Sequence, residues 1–111
     1  MQCYFKMVKK ILVNDVVPVI RSLKEDGVDI TRAELLPAEL NTYYTLAISA
    51  NWKSLQGIER HKVILDKIRQ MIPHKISKYI LNIYTYNKPE EIEADMVNFA
   101  QWQTPIGVNV M

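Results

Sequence analysis

A single cysteine, Cys3, occurs in 111 residues. A lone thiol can neither close an internal disulfide nor build a multi-cysteine metal cluster, and such usage suits a reducing compartment. Glycines number three and histidines two. The chain carries no glycine-rich phosphate loop, no Cys or His pair at zinc spacing and no nucleophile motif. Long apolar runs are lacking as well. The longest, Val16 to Ile20, falls far short of the about 20 residues that cross a bilayer. The opening Met1-Gln2-Cys3-Tyr4-Phe5-Lys6 has no apolar stretch of the kind a secretory leader needs. These absences predict a cytoplasmic protein without membrane association, which is not an enzyme and holds no cofactor of its own.

What is present fits one α/β domain. The chain is long enough for one modest hydrophobic core, and its apolar and charged fractions are those of globular proteins. Net charge is +2 but unevenly spread. Between Lys53 and Lys78 stand Lys53, Arg60, Lys62, Lys67, Arg69, Lys75 and Lys78 against Glu59 and Asp66. From Pro89 onward the only charges are Glu90, Glu91, Glu93 and Asp95. A basic concentration of this kind attracts phosphate backbones or an acidic partner. Lys53, Arg60, Lys62, Lys67 and Arg69 are therefore the candidate contacts.

The pattern predicts a helix starting near Asn14-Asp15 and carrying Val16, Val19, Ile20 and Leu23 on one side, with Pro18 in its first turn and Gly27 as its stop. Residues 1–13 read as an N-terminal extension. Val28 to Thr31 reads as a short strand and Tyr43 to Ala50 as a longer one, with Pro37 and Asn41 bracketing the connection. Asn51-Trp52-Lys53-Ser54 turns the chain into a helical region ending at about Ile72, before Pro73. Its predicted apolar stripe is Ile58, His61, Leu65, Ile68 and Ile72. Tyr79 to Tyr86 reads as a third strand, and Pro89-Glu90-Glu91 opens a last helix bearing Ile92, Met96, Val97 and Ala100. Residues 103–111 form a tail, packed through Ile106 and Val108. The expected fold class is α+β in the order α-β-β-α-β-α, a three-stranded sheet with helices on one face.

His61, on the apolar stripe, reads first as a core histidine bonded to a carbonyl, and second as a ligand or switch. Trp52 at a strand-to-helix junction reads as a core plug before a stacking platform. With one sheet face under helices, Ile80, Tyr84 and Tyr86 are expected on the open side, where aromatics are able to stack on bases.

From the second strand onward, a set of residues resembles the BolA family. Ser49 closes a strand, Trp52 follows three residues on, and Glu59-Arg60-His61-Lys62 leads into Val63-Ile64-Leu65-Asp66. Then come the strand Ile80 to Tyr86 and Lys88-Pro89-Glu90-Glu91. The resemblance spans about residues 14–98, so the chain divides into the extension 1–13, a BolA-like domain 14–102 and the tail 103–111. It implies a class II KH-like fold. It also implies two roles: partnership with a monothiol glutaredoxin around a shared iron–sulfur cluster, and nucleic-acid binding in transcriptional regulation. This sequence departs from the family at the ligand histidine opening the third strand, where it has Tyr79. No Cys or His lies between Ala33 and Thr42, and His74 falls upstream of the ligand position. Phenolate is a poor substitute for imidazole here, which argues against the cluster. The Gly-x-x-Gly loop of KH domains is also missing, which argues against RNA clamping by that loop.

The expectation is a non-catalytic, BolA-like regulatory protein that binds DNA or RNA through its basic helical region. The competing expectation is a protein-interaction module, either a glutaredoxin partner or an immunity- or antitoxin-like inhibitor.

Overall fold

The computed structural model of the protein describes residues 2–37, 43–53, 55–99 and 106–108. Three strands of seven to nine residues, β1 (Asp29–Pro37), β2 (Tyr44–Asn51) and β3 (Ile80–Tyr86), form a mixed sheet, and the two-residue β4 (Ile106–Gly107) extends it. The spatial order is β3-β2-β1-β4. β1 runs antiparallel to both β2 and β4, while β2 and β3 are parallel. A parallel pair needs a crossover, and α2 (Gly57–Met71) followed by the single-turn α3 (His74–Ser77) provides it. With α1 (Gln2–Glu25) and α4 (Pro89–Phe99), the α+β class and the order α-β-β-α-β-α are as expected, α3 and β4 being additions to it. No described helix is long and apolar enough to cross a membrane.

The first helix starts earlier than its capping residues suggest. α1 is continuous from Gln2, and Pro18 lies inside it instead of in its first turn. The proline removes the hydrogen bond to the Asn14 carbonyl, at about 3 kcal/mol in an exposed helix. Leu12, Val16, Val19, Ile20 and Leu23 form one buried stripe across it, each at most 1% exposed. Burying such side chains contributes roughly 1.5–3 kcal/mol apiece, so packing outweighs the proline. Gly27 ends the helix as expected. Its φ of 96° lets Gly27 N–H reach Lys24 O and Val28 N–H reach Leu23 O, both at 3.0 Å, the double bond of a Schellman cap.

β1 is longer than its sequence pattern. Arg32, Ala33 and Glu34 weaken the strand signal, yet the strand continues to Pro37, with Leu35 opposite Leu46 and Leu36 opposite Thr45. Adjacent strand residues point to opposite faces, and this separates two apolar clusters. Ala33, Leu35, Tyr44, Leu46, Ile48 and Ile83 pack beneath α1 and α2 in the main core. Leu36 and Ala47 pack on Ile92 of α4, with Tyr86 and Met96 beside them. The one-face arrangement of helices therefore needs correction: α1 and α2 share a face, and α4 covers part of the other.

The buried stripe of α2 also differs from the expected one. Ile64 and Ile68 are buried, Ile72 just beyond the helix is too, and Val63 and Leu65 pack alongside. Ile58 is 85% exposed and His61 faces solvent. Three consecutive apolar residues, Val63-Ile64-Leu65, satisfy helical spacing in more than one phase, so the sequence leaves the rotation of the helix open. α4 begins at Pro89 as expected, and the Glu91 carboxylate accepts from the Asn87 and Lys88 amides at 3.0 and 2.9 Å. Val108 is buried and its amide reaches Ala33 O at 2.9 Å, so the expected packing of the tail through this residue holds. Asn41, Ala100 and residues 103–105 and 109–111 of the tail lie outside the described residues.

Candidate functional site

The expected binding cations fall into two groups. Arg60 and Lys67 are engaged inside the molecule. The Arg60 guanidinium lies 5.4 Å from the centre of the Trp52 ring, donates through Nε to Leu55 O at 2.9 Å and through Nη1 to Asn87 Oδ1 at 3.0 Å. Lys67 Nζ sits 2.6 Å from Asp26 Oδ2, tying α2 to the turn after α1. Lys53, Lys62 and Arg69 are exposed. Lys62 and Arg69 stand seven residues apart on α2, about 10.5 Å along its axis, with Glu59, Lys62, Asp66 and Arg69 at spacings of three and four on one face. Alternating charges at that spacing mark an ordinary solvated helix face. Lys53 lies beyond the end of β2 in the left-handed region, at φ 55°.

The residues of the BolA-like signature are positioned by packing. Ser49 is fully buried, with its hydroxyl 2.7 Å from that of Thr31. Trp52 is buried, and its indole N–H donates to Tyr86 O at 2.7 Å. The plug reading of Trp52 therefore describes what it does: Trp52, Arg60 and Asn87 clasp the ends of β2 and β3 to the start of α2. His61 is a correction, since it sits on the solvent side of that helix and not in the core. Tyr79 is half-buried just before β3, its ring 6.0 Å from that of Tyr43 and 5.3 Å from Lys78 Nζ. Among the described residues no three of His, Cys, Asp and Glu gather as a metal-binding group.

Of the three side chains expected on the open face of the sheet, Tyr84 and Tyr86 lie on the side away from the main core, and Ile80 does not. Tyr84 is 41% exposed. Tyr86 is half-covered and donates to Asp95 Oδ2 at 2.7 Å. Burial, and then the Asp95 carboxylate, push its pKa well above the ordinary 10.0. Ile80 packs against the main core, because the register shifts between Tyr44 and Thr45 move it to the other side. Beside α4, Arg32 bonds Glu34 and Glu93, each at 3.0 Å. Burial alone works against its charge, but the two carboxylates outweigh it and raise its pKa.

One feature not singled out from the sequence is the outer edge of β3. The strand ends the sheet, and Ile80–Tyr86 contains no charged residue and no proline. Leu81 is 44% exposed on it. The signal was visible in the sequence as an uncharged, β-prone run, but which strand would lie outermost was not.

No family model matches the chain, and no curated protein or solved structure matches it either.

Proposed function

We propose that the protein is a non-catalytic binding module that recognises another protein by strand addition at the outer edge of β3. The edge itself carries this reading. Natural sheets blunt their outer strands with lysine, proline, bulges or a covering element, because unpaired N–H and C=O groups template a further strand. Apart from the register shift that sets Leu81 between Ile80 and Asn82, β3 carries none of these over its seven residues, neither lysine nor proline, and it exposes Leu81 and Tyr84. Backbone pairing supplies affinity in such docking, and the alternating side chains supply selectivity. The order of elements agrees with the BolA-like arrangement expected from Ser49, Trp52 and Arg60-His61. A regulatory partner such as a monothiol glutaredoxin is one form the reading takes. A shared iron–sulfur cluster does not fit the residues present, because Tyr79 offers a phenol packed on Tyr43 beneath Lys78 where an imidazole is needed.

The experiment is a nuclease-treated pull-down comparing the native chain with the Leu81→Lys/Tyr84→Lys double variant. A stoichiometric protein partner held by the first and lost by the folded second is expected. A partner held equally by both removes the edge from the mechanism.

A second reading, binding of DNA or RNA, draws on exposed Lys53, Lys62, Arg69, Lys75 and Lys78. It predicts affinity that falls steeply with salt. Lack of any binding to either nucleic acid at low salt rejects it.

A further inference from the structure

We infer that the occupant of the β3 edge is an extended segment of another protein with Asp or Glu at one end, that end lying beside Lys75 and Lys78; this rests on the strand-addition reading above. The register of the sheet sets the length of backbone that can pair. Ile80 faces Tyr44 and Asn82 faces Thr45, which leaves Leu81 between them without a partner on β2. A bulge of this kind bends a strand and interrupts its ladder. Regular pairing on the outer edge is therefore confined to Asn82–Tyr86, five residues in unbroken register with β2. Asn82 and Tyr84 are exposed there on one face, and Tyr84 offers its ring to an apolar or β-branched side chain of the added strand. β3 holds no charge, so a charged side chain within the paired stretch finds no counterpart on it.

Charge enters at the ends of the strand, and the two ends differ. Between Lys67 and Pro89 stand five cations and no Asp or Glu. Lys67 is paired with Asp26, and Arg69 has Asp66 one turn before it on α2. Lys75 and Lys78 remain, both exposed, where the chain enters β3, and among the described residues neither forms an ion pair. Lys78 lies two residues before Ile80, within about 7 Å of it. Its Nζ stands 5.3 Å from the centre of the Tyr79 ring, a contact that leaves N–H groups open to a carboxylate. At the exit, Lys88 and the Arg60 guanidinium on Asn87 are balanced by Glu90 and Glu91, the latter turned onto the Asn87 and Lys88 amides. The edge is thus uncharged along its length, balanced at its exit and basic at its entry. Past the bulge, charge takes over from backbone pairing in fixing register: carboxylates are attracted there and cations repelled. A nucleic acid would also be drawn to the two lysines, but it has no peptide ladder to pair with Asn82–Tyr86.

Random octapeptides displayed on phage and selected on the immobilised full chain at low ionic strength read the preference directly. The winning sequences, synthesised and measured by fluorescence anisotropy, are expected to be β-prone, with Asp or Glu gathered at one end. Saturating peptide is expected to slow hydrogen exchange at the Asn82–Tyr86 amides. Lys75→Glu/Lys78→Glu, with an unchanged far-UV circular dichroism spectrum, is expected to weaken the peptide at least ~10-fold. Lys62→Glu, on the exposed side of α2, is expected to weaken it less than ~2-fold. Peptides that protect β3 but carry no acidic end, or that ignore the folded charge reversal, overturn the acidic occupant and keep strand addition. Acidic peptides that leave the β3 amides unprotected overturn both. Selection of no peptide overturns the inference as well. Protection of β3 in the concentrated chain alone would then put a second copy on the edge, and single-stranded DNA held through Lys75 and Lys78 would put nucleic acid at its entry.

Discussion

The Trp52 indole donates to the main-chain oxygen of Tyr86 at 2.7 Å, joining the residue after β2 to the last residue of β3. Arg60 stacks on the same indole from the first turn of α2 and reaches Asn87 across the gap. This clasp fixes the rotation of α2, which its apolar pattern leaves ambiguous. Trp52→Phe keeps an aromatic in the core but strands the Tyr86 carbonyl, and is expected to lose about 1–2 kcal/mol in denaturant unfolding. Arg60→Ala is expected to lose a similar amount, while any binding to nucleic acid stays unaltered, because its guanidinium is already committed to Leu55 and Asn87.

Rotation of α2 has its own test. Ile64 is fully buried and His61 exposed. Ile64→Ala is expected to destabilise by about 2–5 kcal/mol, and His61→Ala to stay within about 0.5 kcal/mol of the native chain. A large loss at His61 with a small one at Ile64, measured by urea unfolding, would restore the stripe read from spacing alone.

Most of the element order was legible in the sequence, and the misreadings have a common origin. Local signals placed the Gly27 stop, the Pro73 break and the Pro89-Glu90-Glu91 start, because each depends on one backbone conformation or one terminal charge preference. Misplaced features depended on tertiary packing. Pro18 pointed to a helix start, but the stripe from Leu12 to Leu23 holds a helix through it. The strand read over Val28 to Thr31 stops short of Arg32 and Glu34, yet β2 pairs with both and β4 with Glu34, which holds them in a strand. The candidate cations were chosen by charge density. That measure cannot separate exposed Lys62 from Arg60, whose partners are Trp52, Leu55 and Asn87.

Leu12 tests the continuity of α1. It sits in the segment that read as an extension, but it is fully buried among the main-core residues. Leu12→Ala is expected to destabilise by about 2–5 kcal/mol, whereas an extension outside the core would lose almost nothing. Thermal or urea unfolding distinguishes the two.

Tyr86 gives a pH signature. Burial and its bond to Asp95 raise its folded-state pKa above the ordinary 10.0. The folded state therefore holds the phenol proton more tightly than the unfolded one. The resulting stability is fully present below about pH 10 and is lost as pH rises from there toward the folded-state value. The slope due to this group is at most about 1.4 kcal/mol per pH unit. Tyr86→Phe is expected to flatten the decline in unfolding free energy between about pH 10 and 11. An unchanged slope would show that the Tyr86–Asp95 bond does not bias titration.

Val108 is stapled to Ala33 and buried with residues from α1. The stretch between Ala33 and Val108 covers about two-thirds of the chain, so one contact binds an early strand to a late segment. Contacts of this range slow folding, because a long loop must close before they are rewarded. During synthesis, then, α1, β1 and β2 emerge well before the residue that seals their shared core. Until Val108 follows, the β1 edge that β4 will occupy stays open, and the nascent chain depends on chaperones or on speed to keep that edge from finding another strand.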